Sequence, residues 1–378
     1  MTMVNRVMMI AGEVSGDAHG AGVVRELKRM QPSIEIFGIG GEKMKQEGMA
    51  LTYHVRELSF MGFLEVLRHL PLIRSVEKTL EQLLVLKKPE VLLLIDYPGF
   101  NLRFARIAKK YGIKVVYYIS PQVWAWKKGR VKRMPGIVDK MLVVFPFEEK
   151  IYQNAGVNVS FVGHPLLEEL DVQFSRAQFC KRFGIDPSRK ILALIPGSRR
   201  QEIKDLFSVM ARSAGVLAKS DNIEIVVGVA PNLHRDLFDR YLPPNVALHY
   251  VENATHEVMK YADLAIVTSG TATLETACFE TPMIVVYKTS WLTYVIARLL
   301  IRVRNIGLVN IVAGKKIVPE LVQQNATVQK IVKAAETLLR NDAARDAMRK
   351  DLSLVKGQLG TKGASVNVAN AVLSMSPA

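Results

Sequence analysis

Cysteine is scarce in this sequence: Cys180 and Cys278 are the only two among 378 residues, with no C-x-x-C spacing and no clustered histidines. That scarcity argues against a disulfide framework and a structural zinc site, and it suits a reducing compartment. Long hydrophobic runs are lacking too. No stretch approaches the roughly 18 unbroken apolar residues of a membrane span. The first apolar run, residues 7–11, is shorter than a secretory signal requires and reads as a first strand. A chain that is soluble, or bound to one face of a membrane, is expected. Acid is in deficit, with 35 Asp and Glu against 51 Lys and Arg, a formal charge of +16. Such a field favours anionic partners. Nucleic acid is the less favoured of these, because the basic residues are spread along the chain and no zinc-finger or ribonucleoprotein motif accompanies them.

Apolar runs bounded by turn residues recur at 7–11, 34–39, 91–95, 115–119 and 141–145, with helical stretches between them. Unbroken rather than alternating apolarity marks strands covered on both faces, hence a doubly wound parallel sheet. The pattern restarts at 191–195, 223–229, 247–251, 264–268 and 283–287. The fold class expected is α/β, two facing Rossmann-like domains with a cleft between them. The boundaries expected are 1–168, 169–345 and a helical C-terminal segment, 346–378, that either crosses back to the first domain or exchanges between chains. Ligands of such sheets bind beyond the carboxyl ends of the strands, so chemistry should follow strands.

Gly12-Glu13-Val14-Ser15-Gly16-Asp17 follows the first strand, ahead of a helix expected from about residue 18. Its glycines are not spaced as a dinucleotide fingerprint, and its acids would repel a pyrophosphate but suit sugar hydroxyls. Ser15 or Asp17 as a simple helix cap is the alternative. Asp96 ends the apolar strand 91–95. Transfer of a sugar to a hydroxyl needs a base at such a place, and Asp96 is the candidate, with a turn-forming aspartate as the plainer reading and Asn101 as cap of the next helix. Ser120-Pro121-Gln122-Val123-Trp124-Ala125-Trp126 offers an aromatic wall for a sugar or acyl chain, backed by the basic stretch 127–133. No histidine is assigned as base, although His19 and His164 lie beside turns expected to line the cleft.

In the second half, Pro196-Gly197-Ser198-Arg199 follows a strand. Gly197 and Ser198 offer backbone donors, and the Arg199 fork matches a diphosphate. Ser269-Gly270-Thr271-Ala272-Thr273-Leu274-Glu275 runs from a strand into a helix, where small residues would admit phosphate and Glu275 would reach ribose hydroxyls; ordinary capping explains the same residues. No metal-ligand cluster is visible, so Arg199 and backbone dipoles must carry the charge of a departing diphosphate. Between residues 60 and 86 lies a dense apolar patch including Phe63, Leu64, Val66, Leu67, Leu70 and Ile73. It reads either as core helix or as a surface that enters a membrane.

The segments GEVSGD, MGFLEVL, IDYPGFN, SPQVWAW, FVGHP, PGSRRQEI, SGTATLE and LVNIVAG resemble, in order and spacing, the landmarks of the lipid-A-disaccharide synthases, from about residue 10 to residue 314. That resemblance implies a GT-B fold and inverting, metal-independent transfer without a cofactor. The donor implied is UDP-2,3-diacylglucosamine, the acceptor 2,3-diacylglucosamine 1-phosphate, and the product a β(1→6) disaccharide. It places the family's essential aspartate on Asp96, its essential arginine on Arg199 and an important asparagine on Asn310. Proline usually precedes that asparagine in the family; here Val309 does, and a less rigid turn is expected. The resemblance also makes the apolar patch a membrane contact, on the cytoplasmic face of an anionic inner membrane, and leaves a homodimer open. Two other readings remain: a UDP-sugar epimerase or hydrolase of the same architecture, and a non-catalytic basic protein that binds anionic surfaces.

Overall fold

The computed structural model describes residues 4–57, 70–124, 128–220, 222–289 and 305–375. The chain divides into two compact units, one formed by Met1–Glu168 with Leu359–Ala378, the other by Glu169–Gln358.

The first unit holds one sheet of β1 (Arg6–Ala11), β2 (Glu35–Gly40), β3 (Ala50–His54), β4 (Val91–Ile95), β5 (Lys114–Tyr118), β6 (Lys140–Val143) and β7 (Val159–Phe161), in the order β3-β2-β1-β4-β5-β6-β7. Its pairings are parallel. Every residue of β4, Val-Leu-Leu-Leu-Ile, is buried, as a strand with helices on both faces requires. α1 (Val14–Met30) follows β1, and α2 (Glu42–Gln46) follows β2. α3 (Leu70–Lys87) precedes β4, α4 (Pro98–Lys110) follows it, and α5 (Pro146–Gln153) comes after β6.

The second unit repeats the plan with β8 (Lys190–Ile195), β9 (Ile223–Val229), β10 (His249–Glu252), β11 (Leu264–Thr268), β12 (Met283–Tyr287) and β13 (Glu320–Val322), ordered β10-β9-β8-β11-β12-β13. Its pairings are again parallel. Among its helices are α6 (Ser208–Ser220), α7 (Thr255–Tyr261), α8 (Ala272–Cys278), α9 (Leu308–Val312), α10 (Val328–Leu339) and α11 (Asp342–Gln358). In both sheets the strand order reverses next to the first strand, between β1 and β4 and between β8 and β11. These are the topological switch points at which open sheets leave a crevice.

Residue 346 falls within α11, so the chain rejoins the first unit from Leu359 and not earlier. There α12 (Ala364–Leu373) packs on α1. Glu168 fastens it by accepting hydrogen bonds from the amides of Gly363 (3.1 Å) and Ser365 (2.9 Å). Strands β3, β7 and β13 were not expected from the sequence. All three sit at sheet edges and are mostly half-exposed, so they lack the unbroken apolarity of a central strand.

Candidate active site

At the switch point of the first unit, α1 begins at Val14, four residues earlier than expected, so Ser15, Gly16 and Asp17 belong to its first turn rather than to a loop. Glu13 stands at the N-cap position, exposed. Asp17 is turned inward instead: its Oδ1 accepts from the amides of Gly41 (2.7 Å) and Met44 (3.0 Å), and its Oδ2 from Lys43 (3.2 Å). Its carboxylate is thus committed to the start of α2, which corrects the expectation that it faces a sugar hydroxyl.

Asp96 and Tyr97 both take left-handed backbone conformations, φ 46° and 49°, unusual for residues with side chains. The fold holds them there. The Asp96 carbonyl accepts from Tyr117 Oη (2.6 Å) and Asn101 Nδ2 (2.7 Å), while its amide donates to the Tyr118 carbonyl (2.9 Å). Asn101 therefore ties the first turn of α4 back to β4 rather than capping a helix. Gly12 is required beside this turn, because a Cβ there would lie 2.1 Å from the Tyr97 ring. Burial raises the Asp96 carboxyl to about 6, with the Glu13 charge adding to the rise and a hydrogen bond from the Tyr97 amide and the nearby His19 partly offsetting it. A carboxylate titrating there is poised to accept a proton near neutral pH.

Strand β5 is likewise followed by a left-handed residue, the β-branched Ile119 (φ 61°), ahead of Ser120 and Trp124, which meet one acid that sequence reasoning missed. Glu148, in the first turn of α5, accepts from Ser120 Oγ (2.7 Å) and Trp124 Nε1 (3.1 Å) through Oε1, and from the Phe145 amide (3.3 Å) through Oε2. Burial pushes Glu148 up to about 7 against those hydrogen bonds. Phe147 meets the Trp124 ring edge-on, with centroids 5.6 Å apart. Proline followed two residues later by glutamate, Pro146 and Glu148, was the available signal for a helix start whose acid turns back on the preceding amide. Gln122 is exposed.

At the switch point of the second unit a pocket of about 550 Å³ opens between the turns after β8 and β11. Gly197, Ser198 and Arg199 line it from one side, and Ser269, Gly270, Thr271, Ala272 and Glu275 from the other. Gly197 has φ 101°, and a Cβ on it would meet Glu202 Oε2 at 2.1 Å. That oxygen accepts from the amides of Ser198 (3.1 Å) and Arg199 (3.2 Å), so the Ser198 donor expected for a ligand is taken by the protein itself, together with the Arg199 amide beside it. The guanidinium of Arg199 remains 68% exposed, touching Glu202 at 3.3 Å. Thr273 is buried outside the pocket lining and donates to the Gly270 carbonyl (2.8 Å), which corrects its expected place on the ligand. Glu275 lies at the pocket wall; burial and Glu169 raise its carboxyl above the usual range, and His256 partly offsets them. Asn253, Thr255 and His256, after β10, complete the wall and were overlooked. The left-handed Asn253 (φ 58°) ahead of Ala254-Thr255 was the turn signal that marks them.

Asn310 lies in α9, fully buried, with its whole amide engaged. Nδ2 donates to the Val318 carbonyl (3.0 Å) and Glu320 Oε1 (2.8 Å), and Oδ1 accepts from the amides of Ile317 (2.7 Å) and Val318 (3.0 Å). Glu320 in turn holds the amides of Ile306 and Gly307, and Ser269 Oγ donates to the Ile306 carbonyl (3.1 Å). Asn310 is therefore a brace for the segment that touches the pocket through Ser269, and its own hydrogen bonds supply the rigidity that Val309 does not. Of the apolar patch, Phe63, Leu64, Val66 and Leu67 and the side chain of Leu70 lie outside the described residues, as does Trp126. Ile73 packs partly buried against the core of the first unit. Among the described residues no three His, Cys, Asp or Glu side chains gather as a metal-ligand set, and no helix is long and apolar enough to cross a membrane.

The lipid-A-disaccharide synthetase family matches residues 7–372 of this chain. A lipid-A-disaccharide synthase of Geobacter sulfurreducens is 43% identical over 373 residues, covering 98% of this chain and 97% of the relative. Among solved structures, a UDP-GlcNAc 2-epimerase from Neisseria meningitidis bound to UDP-GlcNAc superposes with a TM-score of 0.64 at 14% identity, covering 97% of this chain and 99% of that one. The calicheamicin glycosyltransferase does so with a TM-score of 0.63 at 15% identity, covering 98% of both chains. At such identities the structural likeness speaks for the GT-B fold alone.

Proposed function

This chain belongs to the lipid-A-disaccharide synthetase family and is a glycosyltransferase, and from that premise we propose that it joins two acylated glucosamines. It transfers 2,3-diacylglucosamine from the UDP derivative to the 6-hydroxyl of 2,3-diacylglucosamine 1-phosphate. The products are a β(1→6) disaccharide 1-phosphate and UDP. The observation that carries the chemistry is Asp96: a carboxyl held on a strained backbone at a switch point and raised to about 6.

In this reading Asp96 takes the proton of the acceptor's 6-hydroxyl as that oxygen attacks the donor's anomeric carbon. The carbon–oxygen bond to the diphosphate breaks on the opposite face, so the configuration inverts. The leaving charge falls on UDP, where Arg199 offers a two-pronged cation and Gly270, Thr271 and Ala272 admit the phosphates close to the backbone. Glu275 is placed for ribose hydroxyls. Glu13, Ser15, Gly16, Gln122 and Trp124 form the acceptor side, with Glu148 fixing the indole of Trp124. Asn310 acts through Ser269 as a positioning residue. The charge of +16 draws the protein to the anionic inner-membrane surface where such lipids reside.

The experiment is the reaction itself. Purified protein given both acylated substrates, with chelator present, releases UDP only when donor and acceptor are together. UDP release from donor alone, or conversion of a soluble UDP-sugar, replaces this reading with the hydrolase or epimerase that the fold also accommodates.

A further inference from the structure

Positive charge is concentrated around one cavity of the first unit that none of the roles above uses. Arg103 and Arg106 on α4, and Arg133 at the end of the 3-10 turn Lys128–Arg133, line a space of about 280 Å³. Arg103 is paired with Glu77 of α3 at 2.5 Å. Among the described residues Arg106 and Arg133 have no carboxylate at ion-pair distance, and no acid lines the cavity. Guanidinium groups gathered without counter-charge repel one another, and an anion in the cavity relieves that repulsion.

The rest of the wall is hydrocarbon. Leu102 and Met134 are buried and Ile137 half-buried, all three lining the same space. Arginine forks beside an apolar wall fit a phosphate attached to an apolar body better than a free inorganic ion. The cavity also begins where the candidate base is held. Pro98 and Gly99, its first lining residues, open the turn of α4 whose Asn101 donates to the Asp96 carbonyl at 2.7 Å.

We infer that this cavity receives the phosphate of the acylated sugar phosphate that serves as acceptor, with Arg106 and Arg133 as its main ligands. The assignment rests on the function proposed above and adds to it the feature by which acceptor is told from donor. A phosphate monoester carries a charge of about −1.5 to −2 near pH 7, which the guanidinium groups of Arg106 and Arg133 match.

The test uses the full chain and the variant Arg106→Gln/Arg133→Gln, whose exposed side chains leave the fold intact. Acceptors are 2,3-diacylglucosamine 1-phosphate and its dephosphorylated form, with UDP-2,3-diacylglucosamine as donor. Wild type prefers the phosphorylated acceptor by about tenfold or more in kcat/KM, and the variant loses most of that preference through KM, while the donor's KM moves less than about twofold. Arg106→Lys/Arg133→Lys restores part of it. An equal preference in wild type and Gln variant overturns the assignment. So does a Gln variant that stops sedimenting with phosphatidylglycerol vesicles yet keeps the preference, because the cavity then serves membrane headgroups. Thermal melting with the phosphorylated acceptor alone separates this inference from the reaction: stabilisation of wild type but not of the variant supports the cavity even if no UDP is released, and stabilisation of neither overturns it.

Discussion

At the ends of β1 and β4 the first unit gathers carboxylates, Glu13 and Asp96, while at the ends of β8 and β11 the second unit gathers glycines, hydroxyls and the exposed guanidinium of Arg199. The sheets share a strand order, and both switch points use left-handed backbone to turn the chain outward. They differ in which residues bear that conformation. At the first switch point it falls on Asp96 and Tyr97, at a cost of about 1–2 kcal/mol for each side-chain-bearing residue. At the second it falls on Gly197 and Gly270, where it costs almost nothing. Strain is tolerated where a side chain must be aimed, and glycine is used where a ligand must approach the backbone. In the proposed reaction one copy of the scaffold serves proton transfer and the other anion binding.

The contrast is broken most severely at Asp96. Asp96→Asn lowers kcat by about a thousandfold, within the range for loss of a general base, while UDP still raises the melting temperature through the second unit. Loss of UDP binding as well would mean that Asp96 supports the fold instead.

Next in size comes Glu148, a buried acid of the first unit. Its carboxyl stands at about 7 in the fold against an ordinary value of 4.5, so the folded state disfavours the ionised form. Its contribution to stability is full below pH 4.5 and is lost as pH rises through 7, by up to about 3 kcal/mol. Denaturant unfolding across that window shows the decline in wild type and a flatter curve in Glu148→Gln.

On the other side of the comparison, Arg199→Ala lowers kcat about a hundredfold by removing charge from the leaving diphosphate. Because the side chain is 68% exposed, unfolding free energy changes by no more than about 0.5 kcal/mol. Arg199→Lys keeps the charge but not the fork, and recovers only part of the rate.

The smallest effect is the pH response of the first switch point. With Asp96 at about 6, kcat/KM falls toward tenfold per unit as pH drops below that value. In Glu13→Gln the limb moves to lower pH, because the neighbouring charge that helps hold the proton is gone; an unmoved limb would separate Glu13 from Asp96.

Much of this was legible in residue order. The runs at 91–95 and 264–268 coincide with β4 and β11, because a strand buried on both faces must be apolar throughout. Edge strands β3, β7 and β13 escaped, since half-exposed strands carry mixed residues. Asp96 and Arg199 were singled out by position after a strand and by charge type. Asp17, Thr273 and Glu148 could not be sorted that way. A polar residue beside a turn looks the same in sequence whether it meets a ligand or a buried amide.

Residue order by itself determined two parallel α/β layers, the strand-end segments that carry the chemistry, and the excess of positive charge. These follow from local composition and periodicity, which need no knowledge of distant neighbours. Only the tertiary structure decided which polar atoms are already spent within the fold. It assigned Asp17 to α2, Asn310 to the 317–320 segment and Ser198 to Glu202, and it drew Arg106 and Arg133 to one cavity from opposite sides of β5 in the chain. Hydrogen-bond saturation and desolvation depend on partners far apart in sequence, and only the folded chain brings them together.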